Sequence, residues 1–188
     1  MVYRYMFRGY PNDFDIKLKD NGDVNNVSVY RYEDSVLVYA ESYLDNIKGE
    51  DVVDADVKAY PDGKLWENMA DIFHYSAPQS DESWKRKQDK EPILCVNKLR
   101  HEKVSGYIYY HYQYQEEMPC DGDKYGIIFI SGDMIFMYTE NPTEYAEPYK
   151  GSLDTNACPV RNNWTGLMNQ HFDMSFSDGK WLVLERLL

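Results

Sequence analysis

Two fifteen-residue stretches share one pattern of apolar and polar positions. Residues 27–41 read VSVYRYEDSVLVYAE and residues 126–140 read GIIFISGDMIFMYTE. Aligned without a gap, they set Asp34 over Asp133, Tyr39 over Tyr138 and Glu41 over Glu140. In each, two apolar runs flank a pair of turn residues, Glu33-Asp34 and Gly132-Asp133, which predicts a β-hairpin. A Trp-containing stretch follows each hairpin, LWENMADIFHY over 65–75 and NWTGLMNQHF over 163–172. Leu65, Trp66, Met69, Ile72 and Phe73 recur at helical spacing, so a helix is expected over 65–75, with a poorly capped start at Gly63-Lys64. Each copy then closes on an apolar strand, PILCVNKL (92–99) and WLVLERLL (181–188).

The material ahead of each hairpin is less regular. MVYRYMFRGY at the start of the chain predicts a strand, and PNDFDIKLKDNGD after it is short and rich in turn residues. Ahead of the second hairpin, HEKVSGYIYYHYQYQEEM (101–118) has two readings. Its Tyr and Ile content favours a strand. Val104, Ile108, His111, Gln115 and Met118 also fall on one helical stripe, and the pattern leaves both open. If 101–118 is a helix, the second half becomes βαββαβ, the ferredoxin-like plan. Two helices then cover one face of its sheet and the other face must be buried elsewhere. A duplicated chain can bury two such faces on each other. Residues 92–99 then either serve both halves or the first half is truncated. Residues 76–91 read as a solvated loop and 141–162 as a second long connection.

Composition narrows the function. Of 188 residues, 18 are Tyr, 7 Phe and 4 Trp. Tyr combines a flat apolar face with a polar tip, which suits core margins and also sugar pockets. The formal charge of −12 repels phosphate backbones, so no nucleic-acid partner is expected, an acidic nucleic-acid mimic remaining as the exception. Cys95, Cys120 and Cys158 are far apart and have no metal spacing, as in reduced cytosolic proteins. The first ten residues lack the apolar stretch of a signal peptide, and no run approaches the length of a membrane span. A soluble, cytoplasmic protein with no membrane partner is expected. There is no GxGxxG, P-loop or GxSxG. Glu116-Glu117 reads as a solvated helix edge. Asn163-Trp164-Thr165 matches a glycosylation acceptor that has no bearing in the cytosol. His74 and His171 fall at predicted helix ends, where positive charge is favoured, and His101 near a helix start.

The second half resembles the L-rhamnose mutarotase family. The resemblance rests on Tyr107 followed four residues later by His111 in GYIYYHYQ, on Lys124-Tyr125 opening the second strand, and on Asn163-Trp164 followed by Met168. Where the family has a Trp-Trp pair, this chain has Asn163-Trp164. The resemblance implies that 101–118 is helical. It also implies an α+β fold of ferredoxin-like units in tandem, residues 1–85 and 86–188, forming a pseudo-dimeric α+β barrel. The first half matches only in scaffold, with no His and with Asn26 opposite Tyr125, so it is expected to be a copy without a site. Further self-association of the tandem stays open.

The implied activity is aldose mutarotation, the interconversion of the α and β anomers of L-rhamnose or a related deoxy sugar. Ring opening needs a proton delivered to the ring oxygen and another removed from the anomeric hydroxyl, a task for a group titrating near neutrality. His111 is expected as the general acid, Tyr107, Tyr125 and Asn163 as substrate-binding residues, and Trp164 beside the apolar edge of the sugar. No cofactor is required, and the second proton-transfer group is not identified by sequence. The competing functions are a non-catalytic monosaccharide-binding protein on the same scaffold and an acidic interaction protein of the immunity or inhibitor type.

Overall fold

A computed structural model of the chain describes residues 1–78, 80–153 and 163–188. In chain order its first elements are β1 (Tyr3–Pro11), β2 (Lys17–Leu18), β3 (Val24–Tyr32), β4 (Ser35–Ser42), α1 (Gly49–Val52), β5 (Val53–Asp54), β6 (Val57–Lys58), β7 (Glu67–Asn68) and β8 (Ala70–His74). There follow α2 (Asp81–Trp84), β9 (Glu91–Lys98), a 3-10 turn (His101–Lys103), α3 (Val104–Glu117), β10 (Ile127–Ser131), β11 (Met134–Asn141), α4 (Trp164–Asn169), α5 (Met174–Ser177), β12 (Leu182–Val183) and β13 (Glu185–Arg186). The protein is α+β, dominated by strands in open, antiparallel sheets.

The chain forms two compact units, and no single cut in the sequence separates them. The first comprises Met1–Ala70, Pro78–Gln88 and Leu184–Leu188, the second Asp71–Ala77 and Asp89–Val183. In the first unit the sheet order is β13-β3-β4-β1-β6, with β7 also paired to β1. Its core joins Tyr5, Phe7, Val29, Val36, Val38 and Ala40 from one sheet face to Ile16, Ile47, Val52, Val53 and Trp66. In the second unit the order is β12-β9-β11-β10-β8. From β9 to β12 the order is strand, helix, strand, strand, then the two short helices α4 and α5, then strand, and α3 and α4 contribute Tyr107 and Met168 to a core with Ile128, Ile135 and Phe172.

Both hairpins form with the alignment the repeat requires. Tyr32 pairs with Ser35 and Ser131 with Met134, closing a two-residue turn in each copy. The matched turn positions share a left-handed backbone, Glu33 at φ +54° and Gly132 at φ +62°. Past the turn, the Tyr39 hydroxyl donates to Glu41 Oε1 at 2.9 Å, and the Tyr138 hydroxyl donates to Glu140 Oε1 at 2.8 Å. The repeat therefore preserves a buried phenol–carboxylate pair as well as a scaffold.

Two expectations are corrected and one open alternative is closed. Residues 65–75 are not helical but form β7 and β8. The Trp66 ring is packed against Gly9 and Gly49, and Met69 N–H donates to the Met6 carbonyl at 2.9 Å. Asp71 accepts from Phe73 N–H at 2.9 Å in place of a helical bond. Sheet pairing and one buried indole outweigh a weak helical periodicity that lacks an N-cap. His74 accordingly sits in a strand. Of the two alternatives left open for residues 92–99, shared use falls away: β9 pairs with β11 and β12 alone among the described strands. The last apolar segment is divided, with β12 beside β9 and β13 beside β3.

Candidate functional site

The stretch with two readings, 101–118, is a 3-10 turn leading into α3. A 14-residue helix is short to be stable alone, and here its last carbonyls are satisfied from outside. Gly151 N–H donates to the Glu117 carbonyl at 3.0 Å, and Leu153 N–H to that of Glu116 at 3.3 Å. Tyr107 and His111, four residues apart, lie on the same face and are turned inward, at 1% and 3% exposure. Gly106 lies against the His171 ring, where a Cβ would stand 3.0 Å from Nε2.

Three rings surround the imidazole of His111. Tyr107 lies 4.0 Å away, tilted by 37°, while Trp164 at 4.7 Å and Phe73 at 4.9 Å meet it edge-on. Together they line a cleft of about 280 Å³ on the helix-covered side of the second unit's sheet. Other walls come from Tyr75, Ile128, Met137, Met168, Phe172 and Trp181, with Thr139, Thr165 and Asn169 adding polar groups. Among the described residues, none of the side chains lining it is an Asp, Glu, Lys or Arg. A charged ligand would find no counter-charge in this wall; an uncharged one with both hydroxyls and C–H faces would suit it.

The polar tips around the cleft are free to receive such a ligand. His111 Nδ1 is 2.9 Å from the Tyr107 carbonyl oxygen. A carbonyl only accepts, so Nδ1 carries the proton and Nε2 keeps its lone pair. Nε2 has no hydrogen-bond partner among the described residues, and neither do the hydroxyls of Tyr75 and Tyr107. Burial lowers the His111 pKa to about 4, the Tyr107 carbonyl opposing the shift and His171 adding to it. Burial likewise pushes the Tyr107 phenol up, so it stays protonated. At neutral pH the site presents an uncharged imidazole acceptor beside phenolic donors. Enclosing His111 in three aromatic rings removes the water that would stabilise its charged form, so Nε2 meets the cleft as a hydrogen-bond acceptor.

The structure brings Tyr107, His111 and Trp164 together and leaves the other two sequence candidates outside. Tyr125 is fully buried away from the cleft, with Lys124 Nζ 5.0 Å and Lys90 Nζ 5.6 Å from its ring centre. Asn163 is exposed and caps α4, its Oδ1 accepting from Gly166 N–H at 3.1 Å. Phe73 and Tyr75 are cleft residues that sequence reasoning missed, because they lie in a segment read as the helix of the first half. Their signal was the β-forming run Ile72-Phe73-His74-Tyr75. Cys95 and Cys120 are free thiols, and Cys158 lies outside the described residues. Among the described residues no cluster of His, Cys, Asp and Glu suits a metal, and no helix is long and apolar enough to cross a membrane. No protein-family model matches the chain, and neither a curated protein nor a solved structure is significantly similar to it.

Proposed function

We propose that the second unit binds a monosaccharide in this cleft and interconverts its anomers, acting as an aldose mutarotase on L-rhamnose or a related deoxy sugar. The observation that carries the reading is the uncharged His111, whose Nε2 lone pair is unclaimed by protein at the wall of an aromatic cleft. Nε2 takes the proton of the anomeric hydroxyl as the ring opens and returns it on reclosure. Trp164 and Phe73 offer faces and edges to the sugar's C–H groups, and the Tyr107 hydroxyl donates to a sugar oxygen. The absence of charge among the described wall residues fits a neutral deoxy sugar better than a sugar phosphate or a sugar acid. No cofactor enters this chemistry.

The element order of the second unit, with its sheet order β12-β9-β11-β10, supports reading it as a ferredoxin-like unit. Within the same proposal the first unit carries no sugar site, and the protein resides in the cytoplasm with reduced thiols. One observation favours a second reading, non-catalytic sugar binding: an imidazole with a pKa near 4 is a weak base.

Exchange NMR on L-rhamnose with the full chain separates the two. Anomer interconversion that rises with protein concentration and is lost in His111→Gln is the expected result. Sugar binding without added exchange would establish the second reading. No interaction with any monosaccharide would overturn both.

A further inference from the structure

We propose that the Tyr75 phenol is the second proton-transfer group of the cleft, the donor that works opposite His111 Nε2; this rests on the mutarotase reading. Tyr75 follows β8 and stands on a different wall from His111, which α3 supplies. Phe73 meets both rings edge-on, at 4.7 Å from Tyr75 and 4.9 Å from His111. The phenol and the imidazole therefore flank one apolar ring on which a sugar's C–H face can rest.

The position of Tyr75 is fixed by two glycines in the loop after α3. A Cβ on Gly122 would stand 2.4 Å from Cδ1 and Cε1 of Tyr75, and one on Gly126 3.1 Å from Cδ2. The ring fills a slot that only glycine leaves open, and its hydroxyl is spent on no hydrogen bond among the described residues. The neighbouring Tyr114 differs: its hydroxyl is already engaged, donating to Asp121 Oδ2 at 2.8 Å. Tyr107 is less suited to the role than Tyr75. Its ring lies alongside the imidazole on the same helix, so it approaches a bound sugar from the same side as His111. Burial, with the nearby charges of Asp123 and Asp121, raises the Tyr75 pKa and keeps the phenol protonated.

The step balances without any external reactant. The anomeric O–H proton passes to His111 Nε2 as that oxygen forms the carbonyl. The bond from the anomeric carbon to the ring oxygen breaks, and the ring oxygen takes the Tyr75 proton, since an alkoxide is more basic than a phenolate. After rotation about the bond from the carbonyl carbon to its neighbour, the ring oxygen attacks the other carbonyl face. Its proton returns to Tyr75, and the imidazolium proton returns to the new anomeric hydroxyl.

Tyr75→Phe in the full chain keeps the ring in its slot and deletes only the hydroxyl. With L-rhamnose, the exchange rate at saturating sugar should fall on the order of a hundredfold or more, the contribution typical of a general acid. The half-saturating concentration should change far less. Tyr107→Phe should do the reverse, raising half-saturation more than it lowers the maximal rate. Circular dichroism and retained sugar-induced shifts in the NMR spectrum of Tyr75→Phe confirm that the cleft persists. A Tyr75→Phe protein as fast as wild type overturns this inference and leaves the mutarotase reading intact. A wild-type protein that adds nothing to anomer exchange overturns both.

Discussion

The imidazole Nδ1 of His111 donates to the backbone carbonyl of Tyr107, 2.9 Å away and one helical turn earlier. A backbone acceptor cannot be titrated or turned aside, so it fixes one tautomer and aims the other nitrogen at the cleft. Two outcomes are expected. In nitrogen-15 NMR spectra at pH 7, Nε2 of His111 should show the shift of an unprotonated ring nitrogen, and it should protonate only near pH 4. Sugar exchange should hold level from pH 8 down to pH 6, with its acid limb set by the same titration. An imidazole that titrates above pH 6 would remove the enclosure argument.

The same burial couples His111 to folding. Its folded pKa of about 4 lies below the ordinary value of 6.5, so between those values the unfolded chain binds more protons than the folded one. Stability is then fully present above pH 6.5 and is lost as pH falls toward 4, by about 3 kcal/mol over the window. Carboxylates with lowered pKa values lose stability in the same direction at lower pH, which makes a difference measurement necessary. Urea midpoints at pH 7 and pH 4.5 should lie closer together in His111→Gln than in wild type.

In the first unit, Glu41 is held by a different balance. Burial alone would raise its pKa. The Arg86 guanidinium, through two hydrogen bonds at 2.6 and 2.7 Å, together with the charge of Arg4 and the Tyr39 hydroxyl, outweighs burial and holds the carboxyl below its ordinary range. Asn26 and Tyr39 add donors to Oε1 at 3.2 and 2.9 Å. Removing one partner of a buried pair leaves an uncompensated charge. Arg86→Met should therefore cost about 3 kcal/mol in urea unfolding. Adding Glu41→Gln should restore part of that loss, because the neutral amide needs no counter-charge. If the double variant is as unstable as the sum of the singles, the charge pairing is not what holds this cluster.

The hairpins were legible because turn chemistry and two-residue alternation are local; the alignment set Tyr39 over Tyr138 and Glu41 over Glu140, while the hydrogen bond within each Tyr–Glu pair came from the structure. Tyr107 and His111 could be placed on one face as soon as 101–118 was read as a helix. The far wall of the cleft was not legible. Phe73 and Tyr75 arrive from a strand that joins the second sheet across a long separation in sequence, and nothing local records that pairing. Asn163 is expected to bind substrate only because it stands where the resembling family has the first Trp of its pair, and its side chain instead caps α4. The neutral state of His111 depends on three rings from three elements, which no spacing reveals.

Trp66 shows how an indole can override a periodic pattern, and it gives a test in which two effects oppose each other. Gly49 opens α1 and its backbone is not left-handed, so replacing it by Ala would ordinarily stabilise by about 0.4–1 kcal/mol through the unfolded state. Here a Cβ at Gly49 would lie 2.4 Å from Cδ2 of Trp66 and 2.5 Å from Cγ. The ring cannot retreat, because a Cβ at Gly9 would stand 2.8 Å from its Cζ3, which shows how closely that backbone approaches it. Overpacking of this kind costs about 1–3 kcal/mol, so the collision wins. Gly49→Ala should lower the urea midpoint, with the Trp66 environment reporting the change in fluorescence. In a Trp66→Leu background the same substitution should cost less than half as much. Equal losses in both backgrounds would mean that the indole is not what requires glycine at position 49.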